Sequence, residues 1–198
     1  PSAYLAEKKI AERINIVAGF PPPGAPQLAD WIDHIEQKNG IKYEEQQRIA
    51  IATAAKKGLL VLTGGPGTGK TTAIKGIIDI FEKQHLDIAL AAPTGRAAKR
   101  MSEVTGMDAK TIHRLLEVEW DEDDRPVFRR NIQNPLDCSA LILDELSMID
   151  IHLFANLLDA LPLGCRLILV GDSDQLPPVG AGNVLQDLIE SEMLPVVR

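Results

Sequence analysis

Residues 64–71 read Gly-Gly-Pro-Gly-Thr-Gly-Lys-Thr, the most informative run in the chain. It matches the pattern G-x-x-x-x-G-K-[ST], in which a glycine-rich loop directs its backbone N–H groups toward phosphate oxygens. The apolar run at residues 59–62 precedes the loop and predicts a buried strand, and apolar residues at helical spacing follow it. A strand, a loop and a helix in this order predict a phosphate site, because a helix begins with a partial positive charge.

The same stretch carries side chains that suit a nucleoside triphosphate. Lys70 places a positive charge for the β- and γ-phosphates, and the Thr71 hydroxyl is a ligand for Mg²⁺. We therefore expect ATP and Mg²⁺ as cofactors. The predicted nucleotide-binding residues here are Gly64, Gly65, Pro66, Gly67, Thr68, Gly69, Lys70, Thr71 and Thr72.

Composition limits the class of protein. The 198 residues are 45% hydrophobic, which suits one globular domain with a small appendage, and no apolar run approaches the roughly 20 residues of a membrane helix. Charges at residues 7–9 give no signal-peptide pattern, and Cys138 and Cys165 are not spaced as a metal site or redox pair. We expect both cysteines to be small buried hydrophobes in a reducing cytosol, so the predicted location is cytoplasmic and no membrane is expected as a partner.

The order of elements predicts an α/β fold. Two helices and a proline-rich connector at 21–26 form a predicted N-terminal helical arm (1–40), followed by one domain (41–198). Runs that are apolar on both faces indicate a mostly parallel sheet between helix layers, with ligands at the carboxyl ends of its strands. The predicted helices are 4–17, 28–38, 43–57, 70–84, 95–105, 110–116, 148–160 and 182–190, and the predicted strands are 59–63, 87–92, 139–144 and 167–171.

Residues 117–131 interrupt this alternation. Residues 116–120 alternate with period two, four acidic residues follow at 121–124, and residues 127–130 suit a returning strand. We expect an exposed β-hairpin inserted between strands of the sheet; the alternative is a disordered acidic loop.

Two further strand ends carry polar side chains. Asp144 and Glu145 follow the run 141–143, where Asp144 would hold Mg²⁺ and Glu145 would orient and deprotonate a water molecule. Gln175 follows the last predicted strand, and its amide can donate to a phosphate and accept from water. The predicted catalytic residues are therefore Lys70, Glu145 and Gln175, and the predicted metal ligands are Thr71 and Asp144.

Five ordered motifs carry a resemblance to a known family. They lie at residues 64–72, 92–98, 111–116, 144–150 and 171–178, the last reading Gly-Asp-Ser-Asp-Gln-Leu-Pro-Pro. Together they resemble the first motor domain of the RecD-like helicases of superfamily 1, which include the RecD subunit of exodeoxyribonuclease V and stand-alone RecD-like and TraA-type enzymes. The resemblance implies a RecA-like P-loop domain and an ATP-dependent DNA helicase that moves 5′ to 3′ on single strands.

The resemblance also implies roles for individual residues. Gln47 is similar to the glutamine that recognises adenine, with the neighbouring Gln46 or an ordinary polar helix position as the alternatives. The hairpin occupies the position of a pin that splits duplex DNA, where Trp120 or Phe128 would stack on a base or pack the hairpin down. The residues expected to contact single-stranded DNA are Pro93, Thr94, Gly95, Arg96 and His113, although a packed core histidine is an equal alternative for His113.

The sequence departs from the family at its end. It stops at Arg198, before the arginine motifs that complete the ATP site of these helicases, partly from a second motor domain. Because an arginine finger contributes about 10³–10⁵ in rate, we expect this chain to bind Mg·ATP, hydrolyse it poorly and require the second motor domain of a longer protein. Repair or nuclease complexes are further expected partners.

Two other functions compete with the helicase interpretation. A regulatory nucleotide-binding module acting on a protein partner would suit the net charge of −7, which argues against a generally basic nucleic-acid surface. The motifs at 92–98, 111–116 and 171–178 favour the helicase instead. A small-molecule kinase would need a substrate lid, which we do not find in the sequence.

Overall fold

A parallel β-sheet forms the centre of the fold. The computed structural model describes residues 2–19, 26–64, 69–171 and 196–197, so the predicted connector at 21–26 lies almost wholly outside them and the predicted helix at 182–190 lies wholly outside. The strands are β1 (Leu59–Thr63), β2 (Ile88–Ala92), β3 (Ala109–Thr111), β6 (Ala140–Leu143), β7 (Arg166–Gly171) and β8 (Val196–Val197). Their order is β3-β2-β6-β7-β1-β8, and every pair is parallel.

The helices cover both faces of this sheet. Because side chains alternate along a strand, Leu59 and Val61 enter one core and Leu60 and Leu62 the other. One layer contains α1 (Ser2–Ala18) and α7 (Ile151–Asp159), and the other contains α2 (Leu28–Asn39), α3 (Glu45–Lys56), α4 (Lys70–Lys83) and α5 (Gly95–Thr105). The predicted α/β class, with helices on both faces of a parallel sheet, is confirmed.

The first two helices pack on opposite layers. Ile10 and Ile14 of α1 join the core that α7 covers, whereas Ile32 and Ile35 of α2 join the core beneath α3 and α4. Polar contacts reinforce α1: the Lys9 Nζ lies 2.9 Å from Oδ2 of Asp159, and the Arg13 guanidinium donates to the Leu158 carbonyl. The predicted arm is thus part of the layered packing, and the boundary near residue 40 stays a prediction.

Two predicted helices differ in their detail. The predicted helix at 110–116 is a strand, β3, followed by the short helix α6 (Ile112–Leu115), because Lys110 and its neighbours pair with β2. The predicted helix at 148–160 starts later: a 3₁₀ turn occupies Leu146–Met148, and Asp150 caps α7 by accepting from the backbone N–H groups of residues 152 and 153.

The predicted hairpin is present. It consists of antiparallel strands β4 (Val118–Trp120) and β5 (Pro126–Phe128), which project from the sheet between α6 and β6. The acidic turn is closed by the Asp121 side chain, which accepts from the backbone N–H groups of residues 123 and 125. The alternative of a disordered acidic loop is therefore wrong.

The two cysteines lie next to each other, which their sequence spacing did not indicate. Cys138 and Cys165 precede the neighbouring strands β6 and β7, and their free sulfurs are 3.9 Å apart. Cys165 is buried and Cys138 partly buried against the same core, as expected of small hydrophobes. The hydrogen bond to Cys138, together with burial, raises the pKa of the Cys165 thiol.

In the part of the chain that the structure describes, no helix combines the length and apolar character needed to cross a membrane.

The contact between α3 and α4 supplies a test of the packing. A Cβ on Gly76 of α4 would collide with the end of the fully buried Ile51 side chain and meet the Tyr43 hydroxyl at 3.0 Å. We expect Gly76→Ala to lower the free energy of unfolding by about 1 kcal/mol, since an overpacking cost of about 1–3 kcal/mol exceeds the helix-propensity gain of about 1 kcal/mol. Urea denaturation measures the change.

Ile51→Val provides the matched background, because it removes the methyl group that collides. The Gly76→Ala penalty should then largely disappear. An equal penalty in both backgrounds would show that this collision does not limit the packing.

Candidate functional site

The polar residues singled out by sequence collect at one edge of the sheet. In a parallel sheet all carboxyl ends lie on the same side. β1 leads into Gly64 and the loop before α4, β2 leads into Pro93, and β6 leads into Asp144. Three separated sequence motifs therefore share one edge.

Lys70 and Asp144 are electrostatic neighbours although 74 positions separate them in the sequence. Lys70 is the first residue of α4, and Asp144 directly follows β6. Burial raises the pKa of the Asp144 carboxyl above its usual value, while the backbone N–H of Glu145 and the charges of Lys70 and Arg100 lower it. Two positive side chains thus face this partly buried carboxylate.

The backbone fixes both acidic residues. The Asp144 N–H donates to the Ala91 carbonyl at 3.0 Å, which continues the pairing of β6 with β2 past the last strand residue. The Glu145 N–H donates to Oδ1 of Asp144 at 2.8 Å. Glu145 itself has φ 56°, a left-handed conformation that costs a non-glycine residue about 1–3 kcal/mol and that clusters at functional sites.

Gln47 contacts the phosphate loop directly. Its Oε1 accepts from the backbone N–H of Glu44, which forms a capping box at the start of α3, and its Nε2 donates to the Gly69 carbonyl at 3.3 Å. Gly69 has φ 79°, and a Cβ there would collide with the Gln47 amide. Gln46, the alternative, is exposed. The adenine-recognition role of Gln47 stays a prediction, since these contacts also explain a glutamine here.

Part of the predicted site lies outside the described residues: Gly65, Pro66, Gly67 and Thr68 of the loop, and Gln175. Of the remainder, Gly64, Gly69 and Lys70 are half-buried at the loop's two ends. Thr71 is exposed, and Thr72 is half-buried on the first turn of α4. Both threonines belong to the first turn of α4, directly after Lys70.

The donor set fits a Mg²⁺ ion. Mg²⁺ takes one or two protein oxygens and completes its octahedron with water and phosphate oxygens. Within the described ranges the Asp144 carboxylate receives one protein hydrogen bond, at Oδ1. Because desolvation disfavours the charged form of this half-buried carboxylate, a cation bound beside it would stabilise that form. Asp144 would hold the ion, and the Thr71 hydroxyl would complete the protein's share.

The predicted DNA motif forms the start of α5. The Thr94 Oγ1 accepts from the Ala97 N–H at 3.1 Å and caps the helix, with Pro93 half-buried beside it. Gly95 and Arg96 are exposed on the first turn. The Thr94 hydroxyl can still donate its proton to a phosphate oxygen while it accepts from the backbone.

The burial of His113 and of the two hairpin aromatics distinguishes between the alternatives left open for each residue. His113 on α6 is exposed, so the interpretation as a packed core histidine is wrong, and its DNA contact stays a prediction. Phe128 packs against the core and anchors the hairpin, whereas Trp120 is 63% exposed. Trp120 is therefore the hairpin aromatic that offers a free face.

Comparison with known proteins agrees with this architecture. The sequence profile of the family described as "AAA domain" matches residues 47–181. The chain is 42% identical over 191 residues to the ATP-dependent RecD2 DNA helicase of Deinococcus radiodurans, and 37% identical over 210 residues to the RecBCD enzyme subunit RecD of Mycolicibacterium smegmatis. These matches cover 96% and 94% of this chain but 26% and 36% of the relatives. The crystal structure of Pif1 helicase from Candida albicans aligns with a TM-score of 0.51 and 28% identity, over 71% of this chain and 34% of that one.

These matches define the class: the fold is that of a RecA-like motor domain. The chain belongs to the AAA domain family and, within it, to the RecD-like helicases of superfamily 1. It spans about a quarter to a third of the length of the curated relatives that it matches.

Sequence reasoning missed one residue of the site. The Arg100 guanidinium lies 4.0 Å from Oε1 of Glu145 and also acts on Asp144. In the sequence it is one of several positive charges between residues 96 and 114 (Arg96, Lys99, Arg100, Lys110), which form a local basic patch on a chain of net charge −7.

Gln47 offers a direct test of the loop contact. We expect Gln47→Ala to weaken Mg·ATP binding about three- to tenfold, because it removes the hydrogen bond that braces Gly69 and the cap of α3. A titration with a fluorescent ATP analogue measures the affinity. Gln46→Ala is the matched control and should bind as the wild type does; equal losses from both variants would contradict the assignment.

The half-buried Asp144 carboxylate gives a prediction about how stability depends on pH. The pKa of the Asp144 carboxyl is higher in the folded chain than in the unfolded chain. This carboxyl therefore stabilises the fold below its unfolded-state pKa, and the stabilisation is lost as the pH rises through its folded-state pKa. Asp144→Asn should therefore stabilise the nucleotide-free chain at pH 7 by about 0.5–2 kcal/mol, as substitutions in strained sites often do.

This gain should shrink toward pH 4, where the wild-type carboxyl becomes protonated. Denaturation midpoints at several pH values measure it. Asp108→Asn, at an exposed position, serves as the control, and a gain that does not depend on pH would argue against burial as the cause.

Proposed function

We propose that this chain is the ATP-binding motor domain of a DNA helicase that grips single-stranded DNA at the edge where it binds Mg·ATP. One observation carries the proposal: the motifs that contain Lys70, Thr94 and Asp144 follow parallel strands of one sheet and therefore share its carboxyl edge. Membership of the RecD-like helicases supports it, since helicase activity is named for the relatives.

Each residue has a task in ATP hydrolysis. ATP supplies the phosphoanhydride bond whose cleavage drives movement. The Lys70 ammonium would neutralise charge on the β- and γ-phosphates. Asp144 and Thr71 would hold the metal, and the Glu145 carboxylate would orient the attacking water and take its proton. Gln175 would sense the γ-phosphate.

The proposed DNA contacts follow β2, the strand next to β6, at the carboxyl edge of the sheet. β2 and β6 are neighbours in the sheet, so the start of α5 lies beside Asp144 and Glu145. The Thr94 hydroxyl, the free N–H groups of the first helical turn and the Arg96 guanidinium suit a phosphodiester backbone. His113 and the exposed Trp120 extend this surface toward the hairpin, where a base can stack.

The remainder of the protein supplies the other half of the motor. Relatives are about three to four times longer than this chain, and we propose that a second motor domain contributes arginines to the ATP site. Movement is then 5′ to 3′, and the chain alone binds Mg·ATP but turns it over slowly. We propose a repair or nuclease complex among its partners, which the naming of one relative as a subunit of the RecBCD enzyme supports to the extent that this relative works within a larger assembly.

The test separates the two binding sites. We expect Lys70→Ala to weaken binding of a fluorescent ATP analogue at least about tenfold, because a charge-assisted contact to phosphate is removed, with labelled single-stranded oligonucleotide binding unchanged. Thr94→Ala should show the converse, a loss of oligonucleotide affinity with nucleotide affinity retained.

Matched variants check each arm. Lys75→Ala removes an exposed lysine one turn further along α4 and should retain ATP binding, and Thr94→Ser keeps the hydroxyl that caps α5. Failure of the chain to bind any single-stranded oligonucleotide at low salt, where phosphate contacts are strongest, would defeat the proposal.

A further inference from the structure

Arg100 connects the ATP site with the predicted DNA surface. Its Nη1 lies 4.0 Å from Oε1 of Glu145, the residue to which the proposed function gives the attacking water. Arg100 is on α5, the helix that begins at the DNA motif, whereas Glu145 follows β6. This ion pair is therefore a direct contact between the two elements.

The position of Arg100 on its helix makes it available to DNA. Residues four apart lie on the same side of a helix, so Arg100 stands one turn beyond Arg96. Its side chain is 69% exposed, while that of Glu145 is 26% exposed. One end of the pair thus faces solvent beside Arg96, and the other faces the ATP site.

We propose that Arg100 is a positioning residue that holds the Glu145 carboxylate while DNA is absent, and that it exchanges this carboxylate for a backbone phosphate of single-stranded DNA. The inference rests on the proposed function. Through this exchange, occupation of the DNA surface releases the carboxylate for hydrolysis.

The strengths of the competing contacts favour an exchange. An ion pair 4.0 Å long with an exposed guanidinium contributes little, at most about fivefold in an equilibrium constant. A phosphodiester beside Arg96 offers the same guanidinium two oxygens in a bidentate arrangement, which is stronger and better aligned. The existing contact is therefore weak enough for DNA to replace.

The backbone of Glu145 makes the release effective. Two hydrogen bonds fix its left-handed conformation. The Glu145 N–H donates to the Asp144 side chain, and the Glu145 carbonyl accepts from the Met148 N–H. The main chain stays in place when Arg100 departs, so only the carboxylate reorients.

Reciprocity supplies a test without hydrolysis. If DNA and Glu145 compete for Arg100, removal of the carboxylate must increase DNA affinity. We expect Glu145→Gln to bind a labelled single-stranded oligonucleotide about two- to fivefold more tightly than the wild type in the absence of nucleotide. In an Arg100→Gln background the same substitution should have no effect, which a double-mutant cycle measures.

A control separates this exchange from general repulsion. Glu103→Gln removes an exposed negative charge from α5 itself, and any gain it gives should persist in the Arg100→Gln background. Arg100→Lys, which keeps the charge, should preserve part of the Glu145→Gln gain. Equal gains from Glu145→Gln with and without Arg100 would overturn the inference.

Hydrolysis by the full-length helicase gives the second measurement. Arg100→Gln should raise kcat without DNA about two- to fivefold, leave KM for ATP unchanged and reduce stimulation by single-stranded DNA. Lys99→Gln, which removes the adjacent exposed charge, should leave the DNA-free rate unaltered.

Two failures of this measurement have different meanings. A lower DNA-free kcat in Arg100→Gln would mean that Arg100 holds Glu145 in its productive place, and the exchange would be wrong. A wild-type protein that neither binds single-stranded DNA nor responds to it would overturn the proposed function, and the inference with it.

Discussion

The parallel pairing of β2, β6, β7 and β1 brings the residues of the candidate site together. Each of these strands is covered by helices on both faces, so its polar groups can emerge only at its ends. Because all four strands run the same way, the residues after them meet at one edge. The backbone hydrogen bond from Asp144 to the Ala91 carbonyl extends this order one residue beyond the sheet, to the first carboxylate of the site.

Two residues at the carboxyl edge of the sheet have conformations or surroundings that destabilise the fold. Asp144 is a carboxylate whose burial disfavours its charge, and Glu145 occupies a backbone conformation that suits glycine. Both features lie in a two-residue segment directly after a strand whose four residues are fully buried. The packed sheet holds the strained segment in place, and the 3₁₀ turn that follows it buries Leu146 and Ser147.

The sequence was most informative where one physical requirement dominated. Strands buried on both faces need uninterrupted apolar runs, so β1, β6 and β7 were predictable within about one residue. β3 was not, because a three-residue strand at a sheet edge has no apolar periodicity and exists only through its pairing with β2. The hydrogen bond from Gln47 to the Gly69 carbonyl and the proximity of Cys138 to Cys165 could not be predicted for the same reason. Both depend on residues that are distant in sequence.

The Arg100–Glu145 contact follows from the same geometry. α5 begins at the carboxyl end of β2, and β2 is the immediate neighbour of β6 in the sheet. A side chain one turn into α5 can therefore reach the segment after β6 while its helix still faces solvent. In the proposed exchange, DNA bound to the first turns of α5 competes with Glu145 for this arginine. The proposed coupling then needs no longer path, because one guanidinium serves both contacts.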